Sequence, residues 1–229
     1  MKTICFTTAL LLAVTLSLAQ QNFILFGVES GVSIANITYG DPNISKLYKN
    51  RLGYAAGLTF QYNFPKGGSL CTGIMYERKG ASSDVTFTDN TGNITGQTII
   101  HDNFDYLVVP LMLRGTFASN FFIEAGPYVG LLLKHAWKFK DKVILSSGDV
   151  LEEIDFTKGT EDAEFGVSAG IGISPALSDK IVLSFEIKDH KGLTDISLHD
   201  EQVTTNSLLF LVGAAYKFAS TKTNVEKKL

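Results

Sequence analysis

Apolar and polar residues alternate with a period of two along most of the chain. The pattern is clearest where Leu58, Phe60, Tyr62 and Phe64 alternate with polar residues. Successive side chains of an extended strand point to opposite faces, so this segment predicts a strand with one apolar face. The same reasoning predicts eight strands, at 24–38, 52–64, 69–81, 104–117, 121–137, 164–175, 180–188 and 206–218.

The connections between these predicted strands alternate between short and long. The short connections are 65–68, 118–120 and 176–179, whereas 39–51, 82–103, 138–163 and 189–205 are long and rich in polar residues and glycine. Outer-membrane β-barrels have this asymmetry, because their periplasmic turns are short and their extracellular loops are long. We therefore predict an all-β fold, an eight-stranded antiparallel up-and-down transmembrane β-barrel with both termini at the short-turn end.

Each predicted strand pairs an apolar face with a face of small residues that carries isolated charges. In 121–137, for example, Ile123 and Leu131 lie opposite Glu124 and Gly130. A charge that faces lipid at the bilayer midplane costs about 2–4 kcal/mol, so we expect the apolar faces to meet lipid and the charges to point inward. The predicted interior charge network consists of Glu29, Glu77, Arg114, Glu124, Glu186 and Lys217.

Aromatic residues concentrate near the predicted strand ends. Two girdles at the membrane–water boundaries would produce such a distribution. The predicted girdle at the short-turn end contains Phe60, Tyr62, Phe64, Phe117, Phe121, Phe122, Tyr216 and Phe218. The predicted girdle at the long-loop end contains Phe104, Tyr106, Trp137 and Phe139.

The two ends of the chain lack the strand pattern of the part between them. Lys2 precedes a short apolar run at 4–16 and a small residue, Ala19, which together predict a signal peptide at 1–19. The run is shorter than the ~20 apolar residues that span a bilayer. We expect the barrel domain at 20–218 and a polar, disordered periplasmic tail at 219–229.

Composition excludes several classes of protein. A net charge of −3 with scattered basic residues argues against nucleic-acid binding, and two cysteines are too few for a disulfide scaffold or a cysteine-based zinc site. Gly170 and Gly172 lie in a strand pattern with no helix following, which argues against a dinucleotide fingerprint. The sequence therefore predicts no catalytic residues, no cofactor and no metal. One weaker alternative is a cation site in a predicted loop that contains His190, Asp195, His199 and Asp200.

Four segments resemble one known family. The run from Tyr106 to Arg114 resembles a signature of the PorT-like outer-membrane β-barrel proteins of Bacteroidetes-type bacteria, and 122–130, 165–172 and 191–197 resemble later parts of that family. Two features depart from the family pattern: Val108 stands where the family usually has Glu, and the chain continues past Phe218.

The resemblance implies a cellular location and a set of partners. It implies insertion in the cell outer membrane, with outer-membrane lipid and lipopolysaccharide as surroundings and an envelope protein as a further partner. Many such barrels end on an aromatic residue that the barrel assembly machinery reads, which makes Tyr216 and Phe218 the predicted C-terminal insertion signal.

Three functional classes stay open at the level of sequence. The first is a small barrel with a side-chain-filled interior that acts in structure, adhesion or an envelope complex, since eight strands enclose little more than their own side chains. The second is a narrow outer-membrane pore. The third is a secreted soluble barrel of lipocalin type, which would have an apolar lumen.

Overall fold

The computed structural model describes residues 23–65, 68–88, 91–118, 120–144, 150–198 and 202–219. The predicted signal peptide and the predicted tail, apart from its first residue, lie outside these ranges. No helix within the described ranges is long and apolar enough to span a membrane.

The described chain consists almost entirely of strands. One short helix, α1 (Pro42–Ser45), follows the first strand, and one 3-10 turn (Thr157–Gly159) follows the sixth. The strands are β1 (Phe23–Tyr39), β2 (Tyr48–Asn63), β3 (Ser69–Thr88), β4 (Ile94–Phe117), β5 (Phe121–Ile144), β6 (Val150–Asp155), β7 (Ala163–Ile173), β8 (Ile181–Gly192) and β9 (Val203–Ala219).

Antiparallel pairing closes eight of these strands into a barrel. Neighbouring strands pair in the order β1 to β5 and then β7 to β9, and β9 pairs with β1 along the whole of both strands, from Phe23 opposite Ala219 to Tyr39 opposite Val203. The predicted eight-stranded antiparallel barrel is thus confirmed. A ninth strand, β6, was not predicted; it pairs with β5 alone, from Ala136 opposite Asp155 to Ile144 opposite Val150.

The long connections differ from the prediction in two places. The segment 82–103, predicted as a loop, is mostly strand, because β3 extends to Thr88 and β4 begins at Ile94. Likewise β5 extends to Ile144 and pairs with β6 inside the predicted loop 138–163. The extension of β3 does alternate, with Val85 and Phe87 between polar residues, but Ser, Thr, Asp, Asn and Gly are so frequent in 82–103 that the segment resembles a polar loop. The barrel wall therefore continues, as paired hairpins, beyond the apolar part.

The apolar faces form the outer surface of the barrel. Leu111, Ile123, Val212 and their outward neighbours are about half exposed, whereas the residues between them, such as Met112 and Leu211, are buried. Strand alternation explains this arrangement, since the inner and outer side chains come from alternate positions of every strand. The outer surface is the one that would meet lipid.

An irregularity in β5 changes which of its side chains point inward in the part of the strand nearest the long-loop end. The β4–β5 register shifts between Asp105 and Tyr106, so that Phe104 pairs with His135 and Asp102 with Trp137. Beyond the shift, the odd-numbered residues of β5 face the concave side of the sheet, where Trp137 and Phe139 line a groove. The shift leaves one residue of β5 without a partner on β4. The sequence of β5 alone does not reveal this residue, because it depends on the pairing with β4.

The predicted aromatic girdle at the long-loop end is therefore wrong. Phe104 and Tyr106 are buried inside the barrel, and Trp137 and Phe139 line its concave extension. At the other end Phe122 also points inward and is buried, whereas Phe60, Phe117, Phe121, Tyr216 and Phe218 are exposed on the outer surface.

Other side chains occupy the outer surface near the long-loop end. The rings of Tyr54 and Tyr76 stack with centroids 5.5 Å apart, and the Arg78 guanidinium lies 5.2 Å from the Tyr54 centroid. Arg78 Nε donates to Asp105 Oδ1 at 2.6 Å. Tyrosine rings with an adjacent ion pair suit the boundary between lipid and water, where one end of the ring is apolar and the other polar.

Candidate functional sites: the barrel interior and the long-loop cleft

The inner face of the barrel carries a cluster of four charges toward its short-turn end, here called the lower cluster. Arg114 Nη2 lies 2.6 Å from Glu124 Oε2 and 3.6 Å from Glu186 Oε2. Lys188 Nζ lies 3.1 Å from Glu124 Oε1 and 3.3 Å from Glu186 Oε1. The guanidinium of Arg114 also lies 3.7 Å from the centroid of the Phe122 ring. Two cations and two carboxylates balance, so the cluster has no net formal charge.

A second set of polar side chains, here called the upper cluster, lies nearer the long-loop end. Lys79 Nζ lies 2.6 Å from Glu164 Oε1, and both side chains are fully buried. Tyr128 donates its hydroxyl proton to the same carboxylate oxygen at 2.5 Å, and Thr205 donates to the other oxygen. Each buried charge thus has an opposite charge and hydrogen-bond partners, which burial in a low-dielectric interior requires.

The same cluster contains a buried histidine–glutamate pair. His190 Nδ1 lies 2.9 Å from Glu77 Oε2, and Ser207 donates to Glu77 Oε1 at 2.5 Å. The His190 ring stacks on Tyr128 with centroids 4.8 Å apart, which joins this pair to Lys79 and its partners. Side chains from five strands, β3, β5, β7, β8 and β9, meet in this cluster.

Four of the six residues of the predicted charge network belong to these clusters. Arg114, Glu124 and Glu186 meet in the lower cluster, and Glu77 belongs to the upper one. Glu29 lines a cavity of about 60 Å³ beside the lower cluster. Lys217 is half-buried at the short-turn end, with its Nζ 4.3 Å from the centroid of Phe23.

The predicted charge network omits Lys79, Lys188, Glu164 and His190, which the structure places in the two clusters. Lys79 and Lys188 follow Glu77 and Glu186 by two residues, so the period-two pattern places each on the same face as the predicted glutamate. That signal was available for both lysines. Glu164 is the first residue of the predicted strand 164–175, and His190 lies inside the predicted loop 189–205. The observed extents of β7 and β8 place both on the inner face.

Glycines on β7 make room for large side chains of β5. A Cβ atom at Gly166 would lie 2.4 Å from the Tyr128 ring, and one at Gly172 would lie 2.5 Å from the Phe122 ring. A Cβ at Gly170 would lie 2.3 Å from Glu186 Oε1. The small residues of the inner face are therefore what allows aromatic and charged residues to fill a narrow barrel.

The predicted cation loop does not form as expected. His190 lies inside strand β8 and binds Glu77, and Asp195 Oδ1 accepts hydrogen bonds from the backbone N–H groups of Ser197 and Val203. His199 and Asp200 lie outside the described residues. Across the ranges that the structure describes, no three His, Cys, Asp or Glu side chains form a group able to hold a metal ion.

The mouth of the barrel at the long-loop end contains a cavity of about 270 Å³, here called the mouth cavity. Aromatic rings dominate its walls: the rings of Phe104 and His135 stack at 3.9 Å, and the centroids of Trp137 and Phe156 are 4.7 Å apart. Tyr39, Ile196 and Val203 complete the apolar part of its lining.

A short chain of hydrogen bonds forms the polar side of the mouth cavity. His135 Nε2 lies 2.8 Å from Asp102 Oδ1, and His135 Nδ1 lies 2.6 Å from Thr160 Oγ1. A hydroxyl, an imidazole and a carboxylate in this order resemble a nucleophilic triad. However, Thr160 is buried and donates its proton to Phe156 O, and the N–H groups of Gly159, Thr160 and Glu161 all donate to backbone carbonyls. These groups therefore offer no oxyanion hole around the hydroxyl.

The β3–β4 and β5–β6 hairpins that continue beyond the barrel wall are here called the extended hairpins. A larger groove of about 680 Å³ follows their concave face and is here called the upper groove. It shares Asp102 and Trp137 with the mouth cavity, so the two spaces adjoin. Lys46 and Lys49 lie at its side. Its apolar lining consists of Leu47, Tyr48, Val85, Phe87, Ile100, Trp137, Phe139, Leu151 and Ile154.

The predicted insertion signal lies at the end of the last strand. Tyr216 and Phe218 are about half exposed on the outer surface, and their rings pack edge to face with centroids 4.8 Å apart. Only Ala219 of β9 follows them among the described residues.

A closed antiparallel barrel with an apolar outer wall and a charged interior defines the class of integral outer-membrane β-barrel proteins. A family model described as "outer membrane protein beta-barrel domain" matches residues 18–198. The chain belongs to this family, whose members reside in the outer membrane. Among curated proteins, none matches the chain.

Solved barrel structures are similar to this chain at low sequence identity. Neisserial surface protein A is 12% identical, with a TM-score of 0.47, over 84% of this chain and 97% of its own. OprG from Pseudomonas aeruginosa is 14% identical, with a TM-score of 0.37, over 88% of this chain and 98% of its own. Ail of Yersinia pestis is 14% identical, with a TM-score of 0.37, over 85% of this chain and 98% of its own.

Proposed function

We propose that this protein is a non-conducting, non-enzymatic outer-membrane barrel that acts as a structural, adhesive or envelope-complex component. In this proposal the short turns face the periplasm and the extended hairpins face outward, as in other outer-membrane barrels. The finer PorT-like assignment is part of the proposal and rests on the sequence segments from Tyr106 onward. The single observation that carries the proposal is the filled, charge-paired interior.

The upper cluster and its neighbours support a closed interior. Large inward side chains from several strands have almost no exposed surface: Tyr106, Tyr128, Lys79, Phe122, Met112, Leu209, His190, Glu77 and Glu164. A water-filled pore would expose such side chains to its lumen. The alternative of a narrow pore therefore receives less support than the filled barrel.

The lipocalin-type alternative requires the opposite arrangement of faces. A soluble barrel would place apolar side chains inside and polar ones outside, whereas here Glu124 and Lys79 lie inside and Leu111 and Phe210 outside. Exposed apolar side chains on every barrel strand favour a lipid environment.

We also propose the partners that this location implies. Lipid would surround the apolar wall, and lipopolysaccharide would surround its outer boundary. The barrel assembly machinery would read Tyr216 and Phe218 at the end of β9. An envelope protein would contact the extended hairpins, since binding surfaces on rigid barrels are usually built from their connections. We propose no role for nucleic acid, metal or cofactor.

Single-channel recording tests the central part of this proposal. The purified full chain, inserted in a planar bilayer, should show no steady conductance. The matched control is a hollowed barrel, Tyr106→Ala combined with Tyr128→Ala, which removes two rings from the interior and should conduct if the barrel is oriented across the bilayer. Steady conductance of the unaltered chain would overturn the filled-barrel proposal and favour the pore.

A further inference from the structure

The inner face of the sheet changes character where the barrel extends beyond its apolar wall. Within the barrel, that face carries Lys79, Glu77 and other charges. In the extension it carries Phe87, Ile100 and Phe139 instead. An apolar concave surface in water is costly and rare in proteins unless something covers it. This face therefore has the character of a binding site.

The mouth cavity and the upper groove together have the shape of an elongated site. They share Asp102 and Trp137, and the upper groove, at about 680 Å³, has the size of a small-molecule site, with the mouth cavity of about 270 Å³ adjoining it. The mouth cavity is the deep end, since it is walled by the barrel rim and by the 3-10 turn. The upper groove leads from there toward α1 and the start of β2.

The charges along this site are placed unevenly. At the deep end the carboxylate of Asp102 is already engaged by His135. At the outer end Lys49 Nζ lies 2.5 Å from Asp84 Oδ2, and both side chains are largely exposed. Among the described residues, no carboxylate lies within ion-pair distance of the neighbouring Lys46. The residues that line the outer end of the groove thus include two cations, Lys46 and Lys49, and one carboxylate, Asp84.

We propose that the cleft binds a long-chain carboxylate, with its apolar chain along the upper groove and its carboxylate at Lys46 and Lys49. The chain would contact Val85, Ile100 and Ile154 and end beside Trp137 in the mouth cavity. A neutral apolar molecule would leave the excess cation unused, and a cationic one would meet it unfavourably. The proposal does not depend on whether the barrel conducts.

The chain's single tryptophan provides a direct readout, because Trp137 lines both parts of the site. The full-length protein in lipid nanodiscs would be titrated with ω-bromododecanoate, whose terminal bromine quenches tryptophan fluorescence on contact. We expect saturable quenching. The matched probe ω-bromododecanol has the same chain and no charge, and it should bind about tenfold more weakly.

Three variants locate the site. Lys46→Ala combined with Lys49→Ala should raise the apparent Kd for ω-bromododecanoate about tenfold and leave that for ω-bromododecanol nearly unchanged. Lys140→Ala removes an exposed cation outside the groove lining and should change neither value. Ile154→Asp places a charge in the groove and should abolish saturable quenching by both probes. A gel shift between unboiled and boiled samples verifies that each variant folds.

Two results would overturn the proposal. Quenching that rises linearly with probe concentration, unchanged in Ile154→Asp, would show simple partition into the lipid. Equal affinity for the acid and the alcohol, with no effect of the lysine substitutions, would show that the cleft does not recognise a carboxylate. Neither result bears on conductance, so the filled-barrel proposal is tested separately.

Discussion

At the scale of single residues, the barrel interior depends on pairs that lie far apart in the sequence. Lys79 and Glu164 are separated by 85 positions, and Arg114 reaches both Glu124 on β5 and Glu186 on β8. The period-two pattern identifies which charges point inward. It does not identify which charges meet, because that depends on strand register around the whole barrel.

Removing one member of a buried ion pair should strongly destabilise the barrel. We expect Lys79→Met to lower the free energy of unfolding by about 3–5 kcal/mol, because it leaves the Glu164 carboxylate buried without a cation. Lys79→Met combined with Glu164→Gln should recover most of that loss. Urea unfolding of the detergent-folded protein, followed by Trp137 fluorescence, measures both. A single variant as stable as the unaltered protein would contradict the buried pair.

A second residue-scale prediction concerns the glycine beside the lower cluster. A Cβ at Gly170 would lie 2.3 Å from Glu186 Oε1 and 3.3 Å from Glu124 Cγ, so Gly170→Ala must displace the cluster. We expect a loss of about 1–3 kcal/mol in the same unfolding assay, the usual cost of overpacking. The adjacent outward residue provides the control, since Ala169→Val adds apolar volume on the outer surface. Equal stability of the two variants would argue against close packing at Gly170.

At the scale of elements, the sequence predicts the barrel strands better than their extensions. Residues 58–64 alternate strictly because one face meets an apolar environment and the other does not. Beyond the apolar wall the outer faces are polar and only a few inner positions, such as Val85 and Phe87, are apolar, so the upper parts of β3, β4 and β5 resemble polar loops in the sequence. The strand β6 was not predicted because it is only six residues long and pairs with β5 alone.

The register shift in β5 also determines which side chains line the candidate binding cleft. Before the shift the even-numbered residues of β5 point inward, and after it Trp137 and Phe139 do. A strict alternation carried along 121–137 places Trp137 outward, which is why the sequence predicted a girdle where the structure has a cleft. Bulges of this kind redirect side chains at barrel rims.

The β5–β6 hairpin should weaken at acidic pH. Glu153 accepts a hydrogen bond from Lys134 and lies 3.0 Å from Lys138 Nζ, and these lysines hold the pKa of Glu153 below its ordinary value of 4.5. A lowered pKa in the folded state means that the stabilisation is present above the ordinary value and is lost as pH falls through the folded-state pKa. Because the pairs are partly exposed, the effect should be small.

Hydrogen exchange measures this local effect. Protection factors of the β6 amides, corrected for intrinsic exchange, should fall between pH 6 and pH 3 in the unaltered protein, a range chosen to span the ordinary glutamate pKa of 4.5. Glu153→Gln should show lower protection at pH 6 and little further change. A variant that keeps the full pH dependence would assign the effect to other carboxylates.

At the scale of the whole molecule, exposed aromatic residues at the short-turn end have two possible roles. They can anchor the barrel in lipid, or they can direct its assembly. Phe218 and Phe121 are similarly exposed, at 50% and 54%, and both lie on the outer surface at the short-turn end. A role in anchoring predicts equal consequences of replacing either ring. A role as the insertion signal predicts a difference, because only Phe218 lies near the end of the last strand.

Phe218→Ala should therefore reduce the amount of folded protein in the outer membrane more than Phe121→Ala does. The folded amount is measured by the gel shift between unboiled and boiled membrane fractions. Both variants should refold equally well in detergent, where no assembly machinery is present, because each loses one exposed ring of the same kind. If both variants accumulate equally in cells, Phe218 acts only as a girdle residue, and the machinery must read another part of β9. If Phe218→Ala also fails to refold in detergent, its role lies in the closure of β9 against β1.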